Sequence, residues 1–526
     1  MATQWLSLIG AIWLQSINGT NSNFPAYSSQ LKRLLSLSQI QLNNLALASD
    51  AGKLFGWFSG VAAAYLPLWL VLMIGATLGF IGYGLQYLFI TEQMPSLTYW
   101  QIFLLTTLAG NSICWINTVS NIVAIQNFPL DRQIAVGLST SYQGLTAKIF
   151  TAVVDAVDRN SPKQRAQTYL LLNAVLPLLI CVAASPVAKN VKIGKMKNLA
   201  GGFVAMFAIT TATGVYAILS CFSFVTDYFS PLVFAVGMGV FLVLPLAIPV
   251  SERIRETTQQ KCWIRKDNRV CNIDHLTPIS VITENGEKQG NEDVKLEVSD
   301  EEVNNVKEEL GAREMIKRLD FWLYYLVYLF GATLGLVYLN NLGQIVESRG
   351  SSRTSSIVSL CSAFTFFGRL IPSLFDYYLS KRNWVISRPA SIAMTMIPLS
   401  GAFFLLLVKT NNNNLGLLYL STAIIGTCTG AITSISVPTT TELFGAQNFG
   451  INHNILVTNI PVGSFLFGDF AAFLYKRQEN RPNGGCMGVK CYQTTFLLWG
   501  SLCVFGTFLA MILHWRTRKF YSHNRG

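Results

Sequence analysis

The sequence predicts an all-α integral membrane protein with two parallel six-helix repeats and two further helices inserted between them. Of its 526 residues, 51% are hydrophobic and only 13% are charged, which is not the composition of a soluble domain. Fourteen apolar stretches have the length, about 20 residues, that a helix needs to cross a bilayer. The first six return as the last six after an offset of 316 residues. The alternative count is twelve helices.

The stretches are predicted to be helices because lipid offers no hydrogen-bond partner to a bare backbone amide. Span 5 is the least apolar, and spans 2 and 3 are separated only around Pro67. Numbered in chain order as span 1 to span 14, they are 5–24, 42–64, 66–90, 99–125, 134–154, 169–187, 203–225, 231–250, 321–342, 357–379, 390–408, 415–437, 455–475 and 495–515.

The repeat is visible in single residues. Lys53 of span 2 corresponds to Arg369 of span 10, and each follows a glycine and precedes a leucine. Gly110 of span 4 likewise corresponds to Gly426 of span 12. A duplicated unit whose two copies enter the membrane from the same side is typical of many secondary transporters.

The repeat divides the chain into four regions. Residues 1–187 form an N-terminal six-helix bundle, and residues 188–250 hold a connector and the two extra helices. Residues 251–319 are polar, change from basic to acidic along their length and contain few aromatics, so we expect a largely disordered cytoplasmic linker. Residues 320–526 form the C-terminal bundle and a short cytoplasmic tail.

The net charge of +12 predicts topology and not nucleic-acid binding. Of the 39 Lys and Arg residues, 24 fall on the side that carries the N-terminus, and basic loops stay on the cytoplasmic side. We therefore expect both termini to be cytoplasmic. We also expect a monomer, and we favour the plasma membrane over the vacuolar and endoplasmic-reticulum membranes. The expected partners are lipid and a small-molecule substrate, with a coupled proton left open.

Three cations inside the spans are candidates for substrate binding. A charge near the bilayer centre costs about 3 kcal/mol, so we expect each of these cations to be paired or to have a functional role. Arg369 is the strongest candidate because its planar guanidinium holds a carboxylate by two hydrogen bonds and keeps its charge. Lys53 and Lys148 are candidates for a second positive charge.

Four carboxylates in or near the spans are candidates for ion pairs that lock or release the bundles. Asp50 lies three residues before a lysine, on the same helical face. Asp376 and Asp155 each follow a basic residue by seven positions, and Asp469 lies in span 13. Under the alternative of cation or metal transport, Asp50, Asp469 and the clusters of Asn residues described next are the site.

Amide side chains collect in spans 1, 4 and 9. Asn18 and its neighbours are predicted to end span 1, and Asn340 to lie near the end of span 9, with Asn117 along span 4. All three are candidates to line the substrate path. The alternative is hydrogen bonding between helices, worth about 0.6 kcal/mol each.

The remaining chemistry is sparse. Cys486 and Cys491 share an outer loop and are candidates for a disulfide. Cys262, Cys271 and His275 lack CxxC spacing, so no metal site is predicted. No phosphate-binding Gly-rich loop, GxSxG or HExxH occurs, and we expect neither catalysis nor a cofactor.

Two long strings connect the chain to a known family. Residues 13–28, beginning WLQSINGTN, and residues 331–344, GATLGLVYLNNLGQ, strongly resemble the plant nodulin-like proteins. These include the nuclear-fusion-defective-like group, a branch of the major facilitator superfamily. The resemblance implies a plant membrane protein of major facilitator fold, with a nodulin-like region reaching about residue 250.

A more distant likeness concerns span 10. Residues 364–372 resemble the eighth core helix of monocarboxylate and oxalate–formate carriers, where an arginine receives the substrate carboxylate. The resemblance implies that role for Arg369. Thr365 stands where those carriers place an acidic partner, which counts against proton-coupled transport of the lactate type. The basic loop element that the superfamily carries after its second helix is missing from 62–68, whereas Asp376 with Lys381 and Arg382 is closer to it.

Together these observations favour a secondary active or facilitative transporter that works by alternating access on a small organic anion such as a carboxylate. The first alternative is a non-transporting sensor or scaffold of the same fold, because the gating element is degenerate and the linker is long. The second is the cation or metal transporter named above.

Overall fold

The computed structural model describes residues 2–94, 97–157, 161–191, 199–221, 225, 228–258, 309–351, 354–380, 382, 386–408, 415–478 and 486–523, and these are helices joined by short connections, without strands. The predicted linker is described only at its two ends. The weighed metal ligands Cys262, Cys271 and His275, and Lys381 beside Asp376, lie outside the described residues.

The α-helices of the first half are Ala2–Ile17, Phe24–Leu34, Gln39–Ala51, Trp57–Tyr65, Leu68–Ile90, Tyr99–Asn127, Arg132–Gly144, Thr146–Val157 and Pro162–Ala184. The inserted helices are Ala200–Leu219 and Pro231–Val243, and the second continues through a 3₁₀ turn as a helical run to Thr258. The α-helices of the second half are Ala312–Lys317, Leu319–Tyr328, Leu334–Ser348, Thr354–Ser380, Arg388–Leu405, Leu415–Phe444, Phe449–Val457, Asn459–Gly463, Asp469–Arg477 and Gln493–His523.

Within the described residues, ten helical runs are long and apolar enough to cross a membrane. Spans 1, 2, 5 and 11 also form helices where predicted, but the first three are broken and the last is short. The prediction that Asn18 and its neighbours end span 1 is wrong. A 3₁₀ turn at Thr20–Asn23 interrupts the helix, which resumes at Phe24. Glycine and asparagine at 18–23 favour such a break over continuous helix.

The helices run between two ends of the bundle. We call the end that carries residues 2 and 523 the proximal end, and the opposite end the distal end. At the proximal end, Gln4 Nε2 donates to the carbonyl of Asn127, 2.6 Å away. At the distal end, Lys163 Nζ lies 2.8 Å from Glu92 Oε1. Buried apolar side chains form two clusters. One belongs to the second half, and the other joins the first half and the inserted helices to four second-half side chains: Phe366, Leu370, Val437 and Phe449.

Equivalent glycines bring equivalent helices together in the two halves. A Cβ placed on Gly110 of span 4 would lie 1.9 Å from the carbonyl oxygen of Ser49 in span 2. A Cβ on Gly426 of span 12 would lie 2.8 Å from the carbonyl oxygen of Cys361 in span 10. Only glycine permits these approaches, so the sequence repeat is also a repeat of packing.

The first inserted helix, Ala200–Leu219, packs against both halves. The hydroxyl of Tyr142 in span 5 lies 3.4 Å from the hydroxyl of Thr210. Gly214 packs against the rings of Phe366 and Phe367 in span 10. This helix therefore covers the seam where span 5 of the first half meets span 10 of the second.

The chain enters the second half through a docked segment. Glu309 accepts hydrogen bonds from the backbone N–H groups of Ala446 and Gln447, at 3.1 and 2.9 Å. Gly445 adopts a φ of +89°, and a Cβ there would meet the Glu309 carboxylate. The carbonyl of the buried Leu310 accepts from Asn452 at 3.0 Å. The end of the linker is thus bound to the turn between spans 12 and 13.

Candidate functional site

A cavity of about 120 Å³ lies between the two halves, near the middle of the bundle. Its lining is polar and comes from both halves. The side chains that carry charge, amide, hydroxyl, thiol or imidazole groups are Asn21, Ser22, Lys53, Cys114, Asn117, Asn121, Thr140, Gln143, Tyr328, Cys361, Ser362, Thr365, Arg369, Thr429, Thr433, Ser436, His453 and Asn454. The cavity therefore brings together three of the six residues predicted to bind substrate: Lys53, Asn117 and Arg369.

Arg369 reaches the cavity from span 10 and contacts span 5 of the other half. Its Nη1 donates to the carbonyl of Thr140 at 3.2 Å and to Oε1 of Gln143 at 2.5 Å. Its buried Nε has no hydrogen-bond partner. Among the described residues no carboxylate lies within ion-pair distance of this guanidinium. The cavity thus contains an arginine held by neutral groups, with one donor unused.

Lys53 occupies the equivalent position in the first half, but its charge is compensated. Its Nζ lies 2.7 Å from Oδ1 of Asp50, and both residues are buried. The 3₁₀ turn Gly52–Phe55 that breaks span 2 carries the lysine, one turn after the aspartate. Because the pair is internal to one span, Lys53 and Asp50 together add no net charge to the cavity.

Asp50 also joins the two halves on the distal side of the cavity. Its Oδ2 accepts from Nδ2 of Asn340 in span 9 at 3.0 Å and from Oγ of Ser464 in span 13 at 2.6 Å. Asn340 and Ser464 line a crevice of about 30 Å³, together with Asp469. Asn340 therefore contacts the Asp50 carboxylate in that crevice and does not line the central cavity.

The other predicted binding residues lie elsewhere. Asn117 lines the cavity and accepts from Nε2 of Gln15 at 2.9 Å. Asn18 is buried in the break of span 1, and neither its Nδ2 nor its Oδ1 has a partner. Lys148 donates to the carbonyl of Ser220 at the end of the first inserted helix, 2.9 Å away, and is not among the cavity residues. Its buried charge faces that helix end, where the dipole favours a cation.

Two of the predicted carboxylates pair with arginines that spacing did not identify. Asp155 lies 2.7 Å from Arg165 in a pair that is partly exposed. Asp376 lies 2.8 Å from Arg388, which also contacts Glu442 at 3.1 Å. This cluster ties together the proximal ends of spans 10, 11 and 12.

Three further features lie outside the cavity. Arg382, predicted to accompany Asp376, lies over the ring of Tyr378, 4.9 Å from its centroid. In the proximal connection of the first half, burial and the nearby Asp376 charge raise the pKa of the Asp131 carboxyl. In the distal loop between spans 13 and 14, a disulfide joins Cys486 and Cys491.

Several cavity residues were not identified from the sequence. Gln143 and Thr140, which hold Arg369, lie on span 5, and its low apolarity was the available signal. His453, for which the sequence allowed either a proton-linked site or, as the favoured interpretation, interfacial packing, also lines the cavity. Its ring is stacked on Phe449 at 5.0 Å, and its Nδ1 lies 3.2 Å from the hydroxyl of Thr440. No periodicity singles out such residues, because their partners lie on other helices.

Known proteins resemble the chain over its whole length. The family model described as Nodulin-like matches residues 4–250, and the model described as NFD4, C-terminal domain, matches residues 303–523. Protein NUCLEAR FUSION DEFECTIVE 4 of Arabidopsis thaliana is 37% identical over 98% of this chain and 89% of its own length. The chain belongs to the nodulin-like, NFD4-type family. The predicted family is thereby confirmed.

More distant likenesses concern the fold. A structure titled as one of proton dependent oligopeptide transporters has a TM-score of 0.52 at 11% identity and covers 98% of both chains. The nucleoside transporter NupG has a TM-score of 0.50 at 13% identity, covering 97% of this chain and 99% of its own. Probable transporter mch1 of Emericella nidulans is 24% identical over 34% of each chain. The nodulin-like protein is thus an integral multi-pass membrane protein with the predicted major facilitator fold.

Proposed function

We propose that the protein is a secondary transporter that moves a small monocarboxylate across the membrane by alternating access. The observation that carries this proposal is the Arg369 guanidinium, which faces the central cavity without a carboxylate partner among the described residues. A buried guanidinium binds a carboxylate through two charge-assisted hydrogen bonds. Since Lys53 and Asp50 compensate each other, one net positive charge remains for one negative charge on the substrate.

The contacts between the halves support alternating access. On the distal side of the cavity, Asp50 joins the halves through Asn340 and Ser464. On the proximal side, Gly60 of span 2 packs so closely on Gly450 of the helix Phe449–Val457 that a Cβ on Gly60 would lie 2.4 Å from the Gly450 carbonyl. Each contact excludes water from one side, and breaking one at a time would expose the cavity to one end.

In this proposal the proximal end is cytoplasmic, in accordance with its excess of basic residues. Cation transport is less well supported, because the carboxylate nearest the cavity, Asp50, is already paired with Lys53 and with donors from the second half. A scaffold without transport would not require a buried arginine with an unused donor.

The test is uptake of a panel of labelled monocarboxylates into proteoliposomes. We expect Arg369→Gln to reduce uptake at least about 100-fold, the loss that follows when about 3 kcal/mol of a charge-assisted interaction is removed. The matched control is Lys148→Gln, which removes a buried cation outside the cavity and should retain uptake. Arg369→Gln should remain folded, as monitored by size-exclusion chromatography. Parental uptake by that variant would refute the anion site.

A further inference from the structure

The Asp50 carboxylate has an unusual set of contacts. It is 2% exposed and accepts three hydrogen bonds, from Lys53 at 2.7 Å, from Asn340 at 3.0 Å and from Ser464 at 2.6 Å. The lysine belongs to the same half as Asp50, and the other two donors belong to the opposite half. One carboxylate therefore contacts both a cavity cation and the distal junction between the halves.

The surroundings leave few other groups that could bind a proton there. Cys114 of span 4 is the nearest titratable group on the helix that packs behind Asp50. Asp469 of span 13 lines the same distal crevice as Asn340 and Ser464. On the cavity side, the further charged and titratable side chains are Arg369, His453, Tyr328 and Cys361.

We propose that Asp50 is the proton-binding site that couples transport to a proton gradient, an inference that rests on the proposed function. Hydrogen bonds to a carboxylate are about twice as strong as those to a neutral acceptor, so a proton on Asp50 weakens the contacts of Asn340 and Ser464. Coupling is reciprocal, so distal separation of the halves favours proton uptake by Asp50, and distal closure favours its release.

The same proton changes the cavity. Once Asp50 is neutral, Lys53 loses its counter-charge and becomes available to the carboxylate of the substrate. A proton and a monoanion then enter together from the distal side, and the summed charge of site and substrate is the same as in the empty site. Closure returns the three donors to Asp50, releases the proton toward the proximal side and pairs Lys53 again, which frees the substrate. The proposed coupling is therefore symport, with Asp50 of span 2 in place of the acidic partner that Thr365 replaces in span 10, so this proposal departs from the expectation drawn from Thr365.

The test measures distal opening without any substrate. Ala46→Cys places a thiol in the distal crevice, and a membrane-impermeant maleimide reports its accessibility in proteoliposomes. Thiols react more slowly in acid, so each rate is divided by the rate of the Ala46→Cys, Asp50→Asn protein at the same pH. We expect the ratio to change by about tenfold between mildly alkaline and mildly acidic buffer, within the usual range of coupling energies.

A labelling ratio that stays constant with pH would overturn the proposal. Asp469→Asn is the control: we expect it to keep the pH response, and loss of the response in this variant would also overturn the proposal. If Asp50→Asn does not fold, Asn340→Ala and Ser464→Ala replace it, because both keep the Asp50–Lys53 pair. Each should raise alkaline labelling toward the acid value, and parental labelling in both would refute the proposal. Since no carboxylate is present, these outcomes are independent of uptake by Arg369→Gln, which tests the anion site alone.

Discussion

Lys53 and Arg369 occupy equivalent positions in the two halves, and their environments differ. Lys53 is paired with Asp50 within its own span, at 2.7 Å. Arg369 is held only by the neutral groups of Thr140 and Gln143 across the seam. The difference shows how a duplicated helix pair can divide two tasks. One copy keeps its cation in a compensated pair, and the other holds its cation with neutral groups, which under the proposed function leaves it for a ligand.

The proximal ends of the halves diverge in the same way. In the second half, Arg388 connects Asp376 and Glu442. The residues 316 positions earlier are Gly60 and Gln126, neither of which is charged. The first half therefore has no equivalent charge cluster at these positions and instead offers Gly60 for close contact with the opposite half. Ion pairs fix one half internally, whereas a smooth backbone contact can separate and re-form.

The largest expected effect comes from neutralising the two cations separately. Lys53→Met should lower the free energy of unfolding by about 3–5 kcal/mol, because it leaves the buried Asp50 charge uncompensated. Arg369→Met removes a buried charge that has no carboxylate partner in the described structure, so it should not destabilise the protein comparably. Chemical unfolding of the purified protein in detergent measures both.

The double variant Asp50→Leu, Lys53→Met provides the control, since removing both members of a buried pair is often nearly neutral. It should recover most of the stability lost in Lys53→Met. Equal destabilisation by Lys53→Met and Arg369→Met would contradict the distinction between the two sites.

An intermediate effect should be the same in both halves. A Cβ on Gly52 would lie 2.2 Å from the carbonyl of Thr107, and one on the equivalent Gly368 would lie 2.0 Å from that of Thr427. Gly52→Ala and Gly368→Ala should each cost about 1–3 kcal/mol by overpacking. Gly401→Ala, whose Cβ would meet nothing within 4 Å, should be neutral or stabilising. Thermal unfolding measures these effects. If only one of Gly52→Ala and Gly368→Ala were destabilised, the packing of the two halves would have diverged as well.

The smallest expected effect concerns pH. Burial and the Asp376 charge raise the pKa of Asp131, so the folded state binds this proton more tightly than the unfolded state. Stability therefore falls as the pH rises from the ordinary aspartate pKa to the raised one, and the cost persists above it. Asp131→Asn should be more stable at neutral pH by less than about 1 kcal/mol, because the group is partly solvated. The melting curves of Asp131→Asn and of the parent protein should coincide in acid, where Asp131 is protonated. A difference that persists there would have another cause.

The membrane class and the two six-helix repeats followed from composition and from the 316-residue offset, because neither needs tertiary information. The major facilitator fold followed from the resemblance of residues 13–28 and 331–344 to the nodulin-like proteins. The offset made Lys53 and Arg369 equivalent, and their charges inside the spans made them candidates for substrate binding; the structure places both at the cavity. Lys148 shows the limit. Its depth in span 5 was predictable, but the direction of its side chain depends on the inserted helix, whose packing no spacing rule describes. Spacing also paired Asp50 with Lys53, yet it gave no sign of Asn340 and Ser464.

The segment bound by Glu309 and Leu310 has a mechanical consequence. The linker ends on the turn before span 13 and is held there by backbone and amide hydrogen bonds before span 9 begins. The helical run that begins at Phe449 carries His453 at the cavity and Ser464 at the distal contact. A force applied to residues 309 and 310 would therefore act on a helical run that takes part in both.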